Sequence, residues 1–277
     1  MIQNKDVVKT QFILFVIHYS KFTKRFNYLK ERLQEYNLKT IWITENNYNS
    51  YKHMSSKIKK LYGVSRLLVG MDLGINSRSL KFSRRMAKFQ GYILLLRSII
   101  QRKPSLVLGS MPKEIALPLS MQEVQLMHFT AIKSGVESQV DWIVILEDDA
   151  VISSEFTESL NWIFQKFKSN EKIWINLNSG AGLKRTSSDP LPDSKGFFRV
   201  KPSSTRCCVA YVISKSLAIH IHELTLNYGV PNWMPIDYTF QVMLRALKAK
   251  SFWQDPPSVL QGSEIGKYES GFEKFRN

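Results

Sequence analysis

The chain has 277 residues, of which 44% are hydrophobic, with a formal net charge of +16, and this length and apolar content suffice for one domain with a substantial core. The only cysteines are the neighbours Cys207 and Cys208, which excludes a disulfide framework and a spaced cysteine metal site, and no apolar run approaches the roughly 20 residues of a membrane-spanning helix. The first residues lack the long apolar core and small-residue cleavage site of a signal peptide, so we expect a cytoplasmic protein.

The amino-terminal part of the chain predicts a strand, a helix and a second strand. "FILFVIHY" (12–19) is a continuous apolar run rich in β-forming residues, which is typical of a strand buried on both faces. Apolar residues from Phe22 to Tyr36 then recur at spacings of four and three among basic residues, which predicts an amphipathic helix. "TIWIT" (40–44) is a second short strand. This order is typical of a parallel sheet.

A strongly basic stretch follows the second strand. From Tyr51 to Pro104, thirteen lysines and arginines stand against one acid, Asp72, so this stretch carries +12 of the net charge of +16. The positive electrostatic potential of this stretch attracts a polyanion, which could be nucleic acid, an anionic membrane or an acidic glycan. The charge alone does not distinguish these three partners. Apolar spacing predicts a helix over 81–101, which suits an anionic membrane surface and equally a helix packed on the sheet with a solvated basic face.

The remaining elements alternate between helix and strand. Ser120 and Glu123 form the Ser-x-x-Glu pattern of a capping box, which predicts the start of a helix that ends near Gly135. A very apolar strand is predicted over 141–146. The other predicted elements are strands over 173–178, 197–200 and 208–214, helices over 215–225 and 238–249, and an extended, proline-containing segment over 255–263.

"WIVILEDDAV" (142–151) contains the most informative pattern, because an apolar strand leads directly into Glu147, Asp148 and Asp149. Ligands of open α/β sheets bind at the carboxyl ends of strands. A solvated turn or a helix cap explains one aspartate, but three adjacent carboxylates repel one another unless a cation neutralises them. Oxygen ligands suit Mg²⁺ or Mn²⁺ with a phosphate-bearing substrate. The other interpretation is that Glu147 or Asp148 pairs with a buried arginine.

Two classes of enzyme place carboxylates and a divalent cation beside phosphate. A nucleotide-sugar glycosyltransferase holds the donor diphosphate through a metal, which stabilises charge on the departing nucleotide. A metal-dependent nuclease clamps a scissile phosphate, and the basic stretch would suit nucleic acid. The nuclease interpretation lacks a nearby Glu-x-Lys motif or a second tight acidic cluster. We rank it second, and an inactive glycan-binding protein that retains the fold is the third alternative.

Several segments, in the same order, are similar to those of one enzyme family. They are "FVIHYSKFTKRFNYLKERLQEYNL" (15–38), "LSMQE" (119–123), "WIVILEDDAVIS" (142–153), "AYVISKSLA" (210–218), "PID" (235–237) and "PPSVLQGSEI" (256–265). The chain thereby resembles glycosyltransferase family 25, the bacterial lipopolysaccharide and lipooligosaccharide sugar transferases that also include procollagen galactosyltransferases. It departs from the family pattern at Gln122, where the family has glycine, and at Phe129 and Thr130, where the family has a Ser-His pair.

The resemblance implies an α/β fold of the GT-A, Rossmann-like type, with a mixed, mostly parallel sheet flanked by helices. Because no low-complexity linker divides the chain, we expect one domain over 1–265 with a basic helical insertion at about 50–104, and the polar end of the chain predicts a flexible tail over 266–277. The implied reaction is metal-assisted, inverting transfer of a sugar, often galactose, from a UDP-sugar to a lipopolysaccharide or lipooligosaccharide acceptor, with Mn²⁺ or Mg²⁺ as cofactor. We expect the basic segment to favour peripheral association with the inner face of an anionic cell membrane, and nucleic acid is not an expected partner.

The acidic residues receive roles from this resemblance. Asp149 is the expected metal ligand, with Asp148 assisting through the metal or the donor ribose. Asp237 is the expected general base, because inverting transfer needs a carboxylate that takes the proton of the acceptor hydroxyl. Asp237 is equally compatible with an ordinary cap of the following helix. His128 is expected to be a core histidine with satisfied hydrogen bonds.

The end of the first strand and the last extended segment supply the other candidate donor-binding residues. Lys21 and Arg25 are candidates for contact with the donor diphosphate, although a solvated first helical turn has the same pattern. His18 and Tyr19, at the strand end, are candidates for packing on the uracil base. Gln261 and Ser263 are expected to line the site from their position in the family.

Overall fold

Short apolar runs form the strands of this protein, and amphipathic or apolar segments form its helices. The computed structural model describes residues 11–48, 119–178, 189–190, 196–200, 207–230 and 235–269. Its helices are α1 (Thr23–Glu35), α2 (Leu119–Glu137), α3 (Phe156–Lys166), α4 (Lys215–Tyr228) and α5 (Ile236–Ala246). Its strands are β1 (Phe12–His18), β2 (Thr40–Thr44), β3 (Trp142–Glu147), β4 (Ala150–Ile152), β5 (Ile173–Asn176), β6 (Asp189–Pro190), β7 (Phe197–Val200), β8 (Ala210–Ser214), β9 (Lys250–Gln254) and β10 (Val259–Gln261).

Eight of these strands form one mixed sheet in the order β2-β1-β3-β8-β5-β9-β7-β6. Strand β1 pairs in parallel with both β2 and β3, whereas β8 runs antiparallel between β3 and β5. The carboxyl ends of β1 and β3 therefore lie at the same edge of the sheet as the start of β8. This arrangement confirms the predicted α/β class and mixed sheet. A separate antiparallel pair, β4 and β10, lies beside that edge.

The two faces of the sheet bury two apolar cores. Alternate residues of β1 and β3 point to opposite faces, so that Phe15 and Ile145 join one core and Leu14 and Val144 join the other. The first core is completed by residues of α2, α4 and α5, and the second by residues of α1 and α3. The protein thus has three layers with helices on both sides of a sheet, as expected for strands that are apolar on both faces.

Helix α2 approaches the sheet closely because it presents a glycine to β3. A Cβ atom at Gly135 would lie 2.2 Å from Cδ1 of Ile143, so a larger residue here would require the Ile143 side chain to move. The same helix carries His128 at its centre, fully buried. The position of α2 therefore fixes which of its residues reach the carboxyl end of β3.

The predicted elements agree with this fold over the described residues. The first two strands, the acidic strand and the two carboxyl-terminal helices lie within a few residues of the predicted bounds. The capping box is absent: helix α2 already includes Leu119, and the carboxylate of Glu123 accepts a hydrogen bond from the Tyr19 hydroxyl instead. The predicted helix 81–101 and the rest of the basic segment lie outside the described residues, as do 270–277. In the part of the chain that the structure describes, no helix is both long and apolar enough to span a membrane.

Candidate active site

A cleft of about 300 Å³ opens where the carboxyl ends of β1 and β3 meet the start of β8. Its walls come from segments that are distant in the sequence. They are the end of β1 and the start of α1, the first half of α2, the end of β3, the segment before β8, the start of α5 and the segment around the end of β10. Of the residues predicted from sequence to form the site, His18 alone does not line this cleft.

Asp148 finds its neutralising cation within the protein. Its Oδ1 accepts a hydrogen bond from Nη1 of Arg25 at 3.0 Å, and the two side chains are almost fully buried. Its Oδ2 accepts from Nδ1 of His18 at 3.0 Å and from the backbone N–H of Tyr19 at 3.1 Å. A buried carboxylate needs such partners, because the charge loses its hydration. Both oxygens of Asp148 therefore already accept hydrogen bonds, so this carboxylate is less available as a metal ligand than we predicted.

Aromatic rings and the carboxyl-terminal segment hold Arg25 and His18 in place. The Arg25 guanidinium lies 4.1 Å from the centre of the Phe22 ring, and its Nη2 donates to the backbone carbonyl of Glu269. The His18 ring packs against Phe26 and meets Trp42 edge-on. Arg25 and His18 are thus fixed as parts of the wall that supports Asp148, and His18 is not free to stack on a base.

Asp149 differs from its neighbour because one of its oxygens is left without a partner. Its Oδ2 accepts hydrogen bonds from Oγ of Ser263 at 2.9 Å and from Nε2 of Gln261 at 3.4 Å. Its Oδ1 is buried and has no hydrogen-bond partner among the described residues. Burial raises the pKa of Asp149, against the lowering effect of the Ser263 hydrogen bond. An orphaned buried carboxylate oxygen indicates a site that a cation or a ligand completes.

The pairing of β4 with β10 brings Gln261 and Ser263 to Asp149. Gln261 lies opposite Ala150 in this pair, and the N–H of Gly262 donates to the carbonyl of Asp149 at 2.8 Å. A Cβ atom at Gly262 would lie 2.8 Å from that carbonyl oxygen and 2.3 Å from the ring of Tyr268. Only glycine therefore lets the carboxyl-terminal segment approach the acidic turn this closely.

The Glu147 side chain, at the end of β3, contacts the buried His128 of helix α2. Its Oε1 lies 3.1 Å from Nε2 of His128, and Nδ1 of His128 lies 2.9 Å from the hydroxyl of Tyr211 on β8. Burial lowers the pKa of His128 to about 3, and burial together with the charges of Asp149 and Asp237 raises the pKa of Glu147. His128 is the satisfied core histidine that we expected, but its partner is a residue of the cleft.

Asp237 lies on the far wall of the cleft, in the first turn of α5. The N-cap of this helix is Pro235, so Asp237 is not the cap. Its Oδ1 accepts a hydrogen bond from the backbone N–H of Cys208 at 2.8 Å. Burial raises the pKa of Asp237, against the lowering effect of the bonds from Cys208. A half-buried carboxylate with a raised pKa is suited to accept a proton near neutral pH.

Tyr19 and Lys21 stand at the rim of the cleft. The Tyr19 hydroxyl donates to the Glu123 carboxylate, and Nζ of Lys21 lies 5.0 Å from the centres of the Tyr19 and Phe22 rings. Lys21 is exposed and is therefore available to an anionic ligand. The two residues line the same cleft as the acidic turn, and their contact with a donor stays a prediction.

The described residues contain no group of three or more histidine, cysteine, aspartate or glutamate side chains arranged to hold a metal ion. A structural metal site made by the protein alone is thus not found in them. Mg²⁺ and Mn²⁺ in phosphate-binding enzymes are instead held by one or two carboxylates together with phosphate oxygens and water. The free oxygen of Asp149 fits that second arrangement.

Sequence reasoning missed two features of the site. It treated His128 as a core residue and connected neither His128 nor Tyr211 to Glu147. It did not foresee that the Cys208 backbone holds Asp237. A signal existed for the first pair, because a tyrosine hydroxyl and an imidazole in apolar segments both need hydrogen-bond partners when buried.

Residues 125–240 match the model of glycosyltransferase family 25, described as an LPS biosynthesis protein. This range begins in α2 and ends in α5, so it includes Glu147, Asp148, Asp149 and Asp237. No curated protein matches the chain. The match confirms the resemblance seen in the sequence, and the family supports a glycosyltransferase of lipopolysaccharide biosynthesis. From α2 to α5, therefore, the chain is similar to glycosyltransferase family 25.

Proposed function

We propose that this protein transfers a sugar, galactose, from a UDP-sugar to a saccharide acceptor of lipopolysaccharide or lipooligosaccharide, with metal assistance and inversion at the anomeric carbon. The observation that carries the proposal is the buried, unpartnered Oδ1 of Asp149 in a cleft that Asp237 also lines. The first residue offers a ligand for a cation and the second offers a base. A metal-dependent transfer of this kind needs both in one cleft.

The residues present fit Mn²⁺ or Mg²⁺ bound together with the donor. Asp149 would hold the metal through Oδ1, while Ser263 and Gln261 fix its other oxygen. The metal, when bound, supplies positive charge that stabilises the departing UDP. Asp148 supports this turn through Arg25 and His18 and is proposed to act as a positioning residue beside the donor ribose.

The donor diphosphate is proposed to lie between Asp149 and the start of α1. Lys21 is exposed at that rim and would add a positive charge. The apolar wall formed by Tyr19 and Phe22 offers a surface for the base. Both terminal nitrogens of Arg25 already donate hydrogen bonds, Nη1 to Asp148 and Nη2 to the carbonyl of Glu269. Arg25 would therefore act on the diphosphate through its positive charge and not through a two-pronged hydrogen bond.

Asp237 is proposed to take the proton of the acceptor hydroxyl as that oxygen attacks the anomeric carbon. The N–H of Cys208 donates to Oδ1 at 2.8 Å and so orients the carboxylate in the wall of the cleft. Because burial raises the pKa of this carboxyl, it holds a proton more firmly than an exposed aspartate does. That property suits a general base.

Thermal unfolding with UDP-sugars tests the proposal directly. A ligand that binds only the folded state raises its stability. We expect UDP-galactose with Mn²⁺ to raise Tm by about 5 °C when present at roughly 100 times its Kd. UDP-galactose without a divalent metal should give a smaller shift. If no UDP-sugar shifts Tm in the presence of Mn²⁺, and DNA or RNA binds in a salt-sensitive manner, the nuclease alternative replaces this proposal.

We also propose that the protein works at the inner face of an anionic membrane, where acceptors of this class are assembled. The support is the charge of +12 between Tyr51 and Pro104. Sedimentation with phosphatidylglycerol vesicles should be strong at about 0.05 M salt and largely lost at about 0.5 M, because salt screens exposed charges. Phosphatidylcholine vesicles are the control. Binding that does not respond to salt would contradict the electrostatic attraction.

A further inference from the structure

Glu147, His128 and Tyr211 form a hydrogen-bonded chain that runs from the core into the cleft. Tyr211 is fully buried and stacks on Trp174. Its hydroxyl lies 2.9 Å from Nδ1 of His128, and Nε2 of His128 lies 3.1 Å from Oε1 of Glu147. The core thus fixes the position of one oxygen of a residue that lines the proposed active site.

The direction of these hydrogen bonds follows from the chemistry of the three groups. A neutral imidazole has one donor nitrogen and one acceptor nitrogen, and burial keeps His128 neutral by lowering its pKa to about 3. An ionised carboxylate can only accept, so with Glu147 ionised the ring proton is on Nε2 and is donated to Oε1 of Glu147. Nδ1 then accepts a hydrogen bond from the Tyr211 hydroxyl.

The second oxygen of Glu147 is not used in this chain. The side chain is 24% exposed, and it lines the cleft together with Asp149 and Asp237. Glu147 therefore shares one cleft with the residue proposed to hold the donor diphosphate and with the residue proposed to activate the acceptor. Sugar hydroxyls of either substrate would occupy this space.

We propose that Oε2 of Glu147 accepts a hydrogen bond from a sugar hydroxyl and so determines substrate specificity, with His128 and Tyr211 as positioning residues. The inference rests on the proposed transferase function and extends it to sugar recognition. A site that is built to hydrogen-bond a hydroxyl discriminates against sugars in which that hydroxyl is missing or points elsewhere, because the bound sugar then covers the acceptor and leaves it unpaired. The hydroxyl can belong to the donor sugar or to the acceptor.

The test compares Glu147→Gln with wild type in binding and in transfer. A charge-assisted hydrogen bond gives about a 10- to 100-fold effect when it is lost. For a donor hydroxyl, the Kd of UDP-galactose with Mn²⁺ should rise by that factor while the Kd of UDP stays constant. For an acceptor hydroxyl, both Kd values stay constant and the KM for lipooligosaccharide rises. Glu171→Gln is the matched control, because Glu171 forms an exposed ion pair with Lys250 and the same substitution there should leave both Kd values and the KM unchanged.

A pair of substitutions at His128 tests the positioning role. His128→Gln keeps an N–H donor near the position of Nε2, whereas His128→Leu removes it. We expect His128→Leu to reproduce the selective rise in Kd or KM and His128→Gln to restore most of the wild-type value. Tyr211→Phe should give a smaller change in the same direction, since His128 is then free to exchange its ring proton between its nitrogens.

The outcomes separate this inference from the proposed function. If wild type responds to no UDP-sugar, the transferase proposal itself fails. If wild type binds UDP-galactose with Mn²⁺ and transfers sugar, but Glu147→Gln leaves both Kd values and the acceptor KM unchanged, the transferase proposal stands and Glu147 is only structural. Equal losses in UDP and UDP-galactose binding would also overturn the inference, because UDP lacks the sugar.

Discussion

Replacing Asp149 with asparagine is expected to abolish the metal-dependent part of UDP-sugar binding. The substitution keeps an oxygen for Ser263 but removes the charge that a divalent cation requires, and the remaining ligands would be phosphate oxygens and water. Isothermal titration with UDP-galactose, with and without Mn²⁺, measures the effect. We expect the two Kd values to differ in wild type by about 100-fold or more and to coincide in Asp149→Asn.

The stability of Asp149→Asn gives the prediction a second readout. Burial raises the pKa of this carboxyl in the folded state, so the folded state binds more protons than the unfolded state between the two pKa values. Ionised Asp149 therefore destabilises the fold at neutral pH, and this penalty disappears as the pH falls through its folded pKa. The variant should have a Tm at pH 7 no lower than that of wild type, and any gain should shrink on acidification.

Asp141→Asn is the matched control for this variant. Asp141 lies at the other end of the acidic strand and also accepts a serine hydroxyl, that of Ser169, at 3.0 Å. It should leave metal-dependent binding unchanged. Persistence of the Mn²⁺ effect in Asp149→Asn, or its loss in Asp141→Asn, would contradict the assignment of the metal ligand.

Replacing Asp237 with asparagine is expected to lower kcat by about 100- to 10,000-fold, the usual contribution of a general base. The amide oxygen can still accept the hydrogen bond from Cys208, so the geometry of the wall is retained. Release of UDP from UDP-galactose, with lipooligosaccharide as acceptor, measures the rate. The Kd of UDP-galactose with Mn²⁺ should not change, because the donor is proposed to bind on the opposite wall.

The pH profile distinguishes a base from a merely structural carboxylate. Asp237 acts as a base only when ionised, so the wild-type rate should rise with pH through its pKa. Since burial raises this pKa, the rising limb should lie above the range of an exposed aspartate, and it should be absent from the residual rate of Asp237→Asn. A variant with an unchanged kcat, or with a weakened donor Kd, would rule out the role.

Much of the fold could be predicted because strand formation here depends on local patterns. The runs over 12–19, 40–44 and 142–146 are continuous and apolar, and all three became neighbouring strands. The position of the acidic turn at a strand end followed directly. The antiparallel insertion of β8 between β3 and β5 could not be predicted in this way, since the pairing partner of a strand is not encoded in its own pattern.

The site was predictable as a set of residues and less so as a set of contacts. Arg25 is the clearest case, because it shares the buried stripe of α1 with Leu29 and Leu33 at spacings of four. A buried arginine on such a stripe needs an anion, but from the sequence we assigned Arg25 to the donor diphosphate and did not name the arginine that would pair with Glu147 or Asp148. The register between β1 and β3 determines which of the three acidic residues lies beside Arg25, and this register is a property of the tertiary structure. His18 was predicted to pack on the uracil base of the donor, and in the structure its Nδ1 forms a hydrogen bond with Asp148.

The bonds of Arg25 have a consequence for how the protein is made. This side chain, near the amino terminus, joins Asp148 at the middle of the chain and the carbonyl of Glu269, while Asp149 is held by Ser263. A chain emerging from the ribosome can pair β1 with β3 once both have been synthesised, but the acidic turn lacks its carboxyl-terminal partners until residues 261–269 have followed. The site is therefore completed only after residues 261–269 have been synthesised, and activity should not appear before that point.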